Sequence, residues 1–214
     1  LRTGKCPLIV GGDHAIAMGT IGGAARVATR LGLIWVDAHA DYNDSASSPS
    51  GNIHGMPLAA ALGQADAILN DIAAVNPKVR AEDTVLIGVR DVDPGETVRL
   101  RASGITVFTS WDVETRGINA IAAEALDITT VNTDALHLSF DLDVLDPLEM
   151  PGTGTTSPGG MSYREGCVLV QTLYASGKVT SLEFTELNPL LDDAGRSCRL
   201  ARDLITYALG RQLY

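Results

Sequence analysis

A chain of 214 residues, 45% hydrophobic and 20% charged, is too apolar to be disordered and fits one globular domain that buries roughly 70% of its unfolded surface. Its 26 acidic against 16 basic residues give a net charge of −10, which repels phosphate and argues against nucleic-acid or anionic-membrane partners. No apolar run reaches the ~20 residues of a membrane span, nothing reads as a signal peptide, and the scattered Cys6, Cys167 and Cys198 read as reduced thiols of a cytoplasmic protein.

Short apolar runs alternate with helical patterns. Residues 6–10 read as a strand and 15–31 as a helix. Residues 33–36 form a second strand, followed by a polar loop over 38–52 and a short helix over 56–62. A third strand spans 85–89, a helix 96–103 stops at Gly104, a fourth strand covers 105–108, and a helix runs through 118–126. The fifth strand, 136–142, enters a Gly/Pro-rich loop that ends at Gly160. A helix over 163–176, a strand over 179–184 and a closing helix over 194–209 complete the chain. Six largely apolar strands separated by helices predict an α/β fold: a parallel sheet in three layers, with helices on both faces. No repeat or linker divides the chain, so 1–214 reads as a single domain.

Ligands of such sheets sit beyond the carboxyl ends of the strands. The residues found there are Gly11-Gly12-Asp13-His14, Asp37-Ala38-His39-Ala40-Asp41, Arg90-Asp91-Val92-Asp93, Asp141-Leu142-Asp143 and Glu186. Asp37, His39 and Asp41 are spaced two apart, which puts their side chains on one side of an extended segment, and Asp141 and Asp143 repeat the device. With His14 the set holds four carboxylates and two imidazoles. Four gathered carboxylates raise one another's pKa unless cations neutralise them, and two divalent ions balance the charge. Oxygen-rich donors with some nitrogen suit Mn²⁺, or Fe²⁺, Co²⁺ and Ni²⁺, better than structural zinc. Two such ions ~3.5–4 Å apart can share a water and deprotonate it near neutrality, which gives a hydrolase its nucleophile. An isolated strand-end Asp is ordinarily a cap or turn residue; the combination is not explained that way.

These segments, together with Ser50-Gly51-Asn52-Ile53-His54-Gly55, Pro94-Gly95-Glu96 and Glu186-Leu187-Asn188-Pro189, resemble the ureohydrolase family and within it the arginases, in order, from residue 6 to the C-terminus. The resemblance implies one Mn²⁺ on His14, Asp37, Asp41 and Asp141, and a second on His39, Asp37, Asp141 and Asp143. It implies hydrolysis of L-arginine to L-ornithine and urea. Asp41 would orient the attacking hydroxide, His54 would shuttle the proton to the leaving amine, and Glu186 would pair with the guanidinium beside Thr155. Asn43 and Ser50 match positions that bind the substrate carboxylate. Asp93 matches the position facing its ammonium, with Glu96 assisting through water. A homotrimer or hexamer is implied as well.

Two departures from the arginase pattern bear on the substrate: Val144 stands where arginases usually carry Gly and, with the following Pro151-Gly152-Thr153-Gly154-Thr155, looks more like the related agmatinases, and Thr156 stands where Pro is usual. The family sheet also has eight strands in the order 2-1-3-8-7-4-5-6, and the first two have no counterpart here. An N-terminally short chain would then expose residues 6–10 as an apolar sheet edge, a pairing liability that lowers stability. It would keep every expected ligand. A shortened chain that binds metal or joins oligomers without catalysis is the alternative of another class. Phosphate-cradling and serine-nucleophile chemistries lack their motifs: there is no GK[ST] loop and no GxSxG.

Overall fold

In a computed structural model of the chain, which describes residues 4–212, the strands form where side chains are apolar on both faces. β2 (Leu31–Val36) and β3 (Thr84–Val89) are buried at every position. β5 (Ala135–Asp141) and β6 (Val179–Thr185) are buried over most of their length, while β1 (Leu8–Val10) and β4 (Thr106–Thr109) lie at the two edges. The order is β1-β6-β5-β2-β3-β4, all pairs parallel, which agrees with the expected family order without its first two strands. β1 pairs with β6, and Leu8 and Val10 are exposed.

The helices are α1 (Ala17–Ala25), α2 (Pro57–Ala61), α3 (Ala67–Asn70), α4 (Pro94–Ala102), α5 (Ser110–Arg116), α6 (Ile118–Thr130), α7 (Tyr163–Ala175) and α8 (Arg196–Ala208). Alternation along β2 assigns its side chains to two cores. Ile34 and Val36 join Ile121, Leu169 and Leu204 on the face covered by α6, α7 and α8. Leu33 and Trp35 join Ile21 and Leu58 on the face covered by α1 and α2. Gly32 lets α6 approach β2 closely, since a Cβ there would lie 2.1 Å from the Thr129 carbonyl oxygen. Among the described residues no helix is long and apolar enough to cross a membrane.

Two expectations change, and three short elements are added. The helix expected over 15–31 is a 3₁₀ turn (His14–Ile16) followed by α1, which ends at Ala25. Residues beyond it must turn into β2, and the Asp134 carboxylate fixes that turn by accepting from the Thr29 and Arg30 amides. The helix after β4 is two helices broken at Gly117, whose φ of 79° a helix interior does not accommodate, and the second continues to Thr130. Short α3 and the 3₁₀ turns Ile72–Ala74 and Ala81–Asp83 carry too few residues to show a periodicity.

Candidate metal centre

Register brings the charged strand ends together. Val36 of β2 sits opposite Phe140 of β5, and Phe140 sits opposite Phe184 of β6, so Asp37 and Asp141 emerge side by side and Glu186 follows two residues after Phe184. β1 pairs Val10 with Phe184, which delivers His14 to the same rim. The 38–41 segment leaves β2 through a bend at Ala38 and His39 instead of running extended as expected, the His39 amide donating back to Asp37 Oδ1, and Asp41 closes it with a φ of 50°. Its carbonyl accepts from the Leu58 and Ala59 amides at the start of α2, which holds this uncommon conformation.

All six sequence-predicted ligands converge. His14 Nδ1 lies 3.0 Å from Asp141 Oδ2, 3.2 Å from Asp37 Oδ2 and 3.3 Å from Asp41 Oδ2. His39 Nδ1 lies 3.1 Å from Asp143 Oδ2 and 3.4 Å from Asp37 Oδ1. Two triads, His14/Asp37/Asp41 and Asp37/His39/Asp143, have donor atoms within 4.8 Å of one another and share Asp37. Trp35 Nε1 and the His39 amide each donate to one Asp37 oxygen, so this carboxylate is oriented from both sides. The Trp35 ring also stacks on the His14 imidazole at 4.1 Å.

The donor set fits a cation. Glu183 is buried, and its carboxylate accepts from Thr20 and from Ser139 Oγ at 2.8 Å. Ser139 therefore spends its proton on Glu183 and accepts from His14 Nε2, 2.8 Å away. With Nε2 as donor, Nδ1 turns a lone pair or an extra proton toward three carboxylate oxygens, and it has no hydrogen-bond partner there. A cation satisfies such an atom, and a second residue that fixes the other ring nitrogen is the usual companion of a ligating histidine.

Without a metal, protons take the cation's place. Burial and the Asp37 charge raise Asp41 to about 8; burial with neighbouring carboxylates also raises Asp141 and Asp143. Burial works against charge on His14 and His39, yet the surrounding carboxylates outweigh it, raising His14 and pushing His39 up to about 12. Asp37 is lowered, because its two imidazoles outweigh its burial.

A raised pKa in the folded state means extra protons bound there. Asp41 therefore lowers metal-free stability as pH rises from about 4 through about 8, with Asp141 and Asp143 acting in the same direction, and the contribution of His39, full below about 6.5, fades as pH rises toward about 12, with His14 again in the same direction. Both act in one direction between about pH 5 and about pH 8, whereas Asp37 acts oppositely only below about pH 4. The metal-free melting temperature is expected to fall across that window, and the upward shift on adding Mn²⁺ to grow. Differential scanning fluorimetry at several pH values checks this; a metal-induced shift that shrinks as pH rises would contradict it.

Above the centre lies a cleft of about 330 Å³. It is lined by His14, His39, Asp41, Asp141 and Asp143 from the floor and by Asn43, Ser50, His54, Asp93, Glu96, Thr155 and Glu186 from the walls; Asp37 lies beneath, fully buried. Glu186 has a φ of 62°, and its Oε1 accepts from the His14 amide at 2.6 Å. Donor atoms of Asp13, His54 and Glu186 lie within 4.8 Å of each other, so the imidazole and the carboxylate can reach one bound group. On the opposite wall Asn43 Nδ2 donates to Asp93 Oδ2 at 3.0 Å. Glu96 is buried and accepts from the Tyr42 and Asp93 amides; burial raises it to about 7, so it helps fix the wall as much as it faces the cleft.

Ser48, Asn52 and Asp91 also line the cleft and were missed from sequence. Asn52 and Asp91 stand inside segments already singled out, so adjacency was the available signal; Ser48 lies two residues before Ser50. Val144 is fully buried, and its Cγ2 would lie 2.4 Å from a Cβ on Gly88, whose φ is 95°. It packs under the sheet rim and does not line the cleft, and neither does the exposed Thr156. Val144 and Thr156 therefore lie outside the cleft wall, whereas Thr155, in the agmatinase-like segment between them, lines it.

A family model described as the Arginase family matches residues 1–210. The arginase of Brevibacillus brevis is 46% identical over 213 residues, covering all of this chain and 72% of that protein. The native arginase structure from Bacillus caldovelox superposes with a TM-score of 0.97 at 44% identity, covering 100% of this chain and 71% of that one. An Entamoeba histolytica arginase solved in complex with L-ornithine gives 0.91 at 34% identity, covering 97% and 70%.

Proposed function

The chain belongs to the arginase family of enzymes, and from that premise we propose that it hydrolyses L-arginine to L-ornithine and urea, using two Mn²⁺ ions held by His14, Asp37, Asp41, Asp141, His39 and Asp143. The observation that carries this reading is the pair of imidazole–carboxylate triads sharing Asp37 beneath a cleft walled by Glu186. Bound ions of this kind supply a hydroxide nucleophile near neutral pH.

The chain's own groups do the rest. Glu186 offers a carboxylate to the planar guanidinium, a match in charge and in spacing, and Thr155 closes the same side. Asp41, with one edge turned to the cleft, accepts a hydrogen bond from the nucleophile and orients it toward the guanidinium carbon. His54, an imidazole beside Glu186, delivers a proton to the departing amine. Asn43 and Ser50 donate to the α-carboxylate without burying another charge, and Asp93 faces the α-ammonium. Cytoplasmic action and a homotrimeric or hexameric assembly belong to the same proposal.

Agmatine keeps the amine that Asp93 faces and lacks only the α-carboxylate, so Asn43 and Ser50 discriminate. Asn43→Ala is expected to lower kcat/KM for L-arginine by about 10- to 100-fold, the worth of a hydrogen bond to a charged group. Turnover of agmatine should change less than about 3-fold. Urea assays with both substrates check this; equal losses, or a wild type that prefers agmatine, would transfer the reading to agmatine.

A further inference from the structure

Arg90, just beyond β3, directs its guanidinium at main-chain oxygens. Nη2 donates to the carbonyls of Ser157 at 2.7 Å and Asp143 at 2.9 Å; Nη1 donates to that of Val144 at 3.0 Å; Nε reaches those of Ser157 and Pro158, each at 3.2 Å. None of these partners is a carboxylate. The backbone at the same point is tied elsewhere: the Arg90 and Asp91 amides both donate to the Ala38 carbonyl, between Asp37 and His39. Three segments meet on this one residue. They are the segment carrying Asp37 and His39, the segment carrying Asp143, and the base of the loop carrying Thr155. Asp146 completes the junction from the other side, its Oδ2 accepting from the Gly159 and Gly160 amides. Arg90 holds that loop by its carbonyls, and Asp146 holds it by its amides.

A partly buried cation spent on carbonyls is costly to keep and contributes little net stability. Packing alone would be met by an apolar side chain. The geometry points to Arg90 as a positioning residue that locks the Asp143 segment and the Thr155 loop into one unit, so that the hold on the ion at Asp37, His39 and Asp143 and the shape of the substrate wall are set together. This inference rests on the two-metal reading above. The planar fork is essential, because its donors diverge toward two segments; a lysine ammonium presents its donors from one point and cannot span both.

The test compares wild type, Arg90→Lys and Arg90→Met. Chelator-stripped protein is titrated with Mn²⁺ by calorimetry, and amide hydrogen exchange is followed over 153–160. For both variants one of two binding events is expected to weaken by about 10- to 100-fold, as when a residue supporting a ligand is lost, while the other changes less than about 3-fold. Exchange at 157–160 is expected to quicken, and more in the Met variant. If Arg90→Met does not fold, Arg90→Lys decides alone. Variants that lose melting temperature yet bind both ions as wild type does, with unchanged loop exchange, would reduce Arg90 to packing and overturn the inference. A wild type that binds no second ion would instead overturn the two-metal reading, leaving loop exchange to judge Arg90.

Discussion

Asp37→Asn is expected to lower urea release from L-arginine by at least about 10³-fold, because the hydroxide that two ions make available near neutral pH is lost with them. Asp37 is the carboxylate common to both triads, so one substitution removes a donor from each. Its two oxygens face His14 and His39 at 3.2 and 3.4 Å, and an asparagine amide would set an N–H group against one of those positions. Asn is nearly isosteric and keeps an acceptor for either Trp35 Nε1 or the His39 amide, so the fold should persist. The metal-free variant loses the charge that faces His14 and His39, so its melting temperature should fall modestly below that of stripped wild type while the transition stays cooperative. Equilibrium dialysis against Mn²⁺, with a thermal melt of the stripped protein, separates loss of metal from loss of fold. Wild-type stoichiometry and affinity in Asp37→Asn would contradict its bridging role.

Glu186→Gln is expected to lower kcat/KM for L-arginine by about 10²- to 10³-fold while leaving Mn²⁺ content unchanged. The guanidinium would lose its charged acceptor, and an amide N–H would face it; truncating one partner of a buried charge pair costs about 2–5 kcal/mol. Gln retains an oxygen for the His14 amide and the same backbone at φ 62°, so the neighbouring histidine stays in place. The loss should fall mainly on KM, because Glu186 binds the substrate before and during attack alike. Burial raises the Glu186 pKa, so wild-type KM should climb as the pH falls through the upper carboxylate range. Steady-state urea assays at several pH values check both points; an unchanged KM in the variant would remove Glu186 from the guanidinium site.

The sheet and the grouping of the candidate ligands were legible because they depend on local pattern. Apolar runs of four to seven residues marked the six strands, and the two-residue spacing of Asp37, His39 and Asp41 announced a shared direction. Their convergence with Asp141 and His14 followed from a parallel sheet, whose strands all end on one rim. What supports the ligands was not legible. Ser139 and Glu183 read as interior strand positions, and only the register that sets them opposite each other in β5 and β6 creates the relay that fixes the His14 tautomer. Arg90 read as part of a turn motif, yet its partners lie 53 to 68 residues away. Val144 was hard to place for a related reason. Its identity suggested a change in substrate, but it sits against Gly88 under the rim, a position no linear pattern gives. The helix boundaries at Ala25 and Gly117 depended on turns fixed by distant carboxylates or by a single positive φ.

The most direct measurement is urea release from L-arginine by protein stripped with a chelator and reloaded with Mn²⁺, with agmatine assayed in parallel. The expected result is no urea from stripped protein, restoration on binding of two ions per chain, and a clear preference for L-arginine over agmatine. Two bound ions with no urea from either substrate would contradict the assignment of catalysis to this cleft.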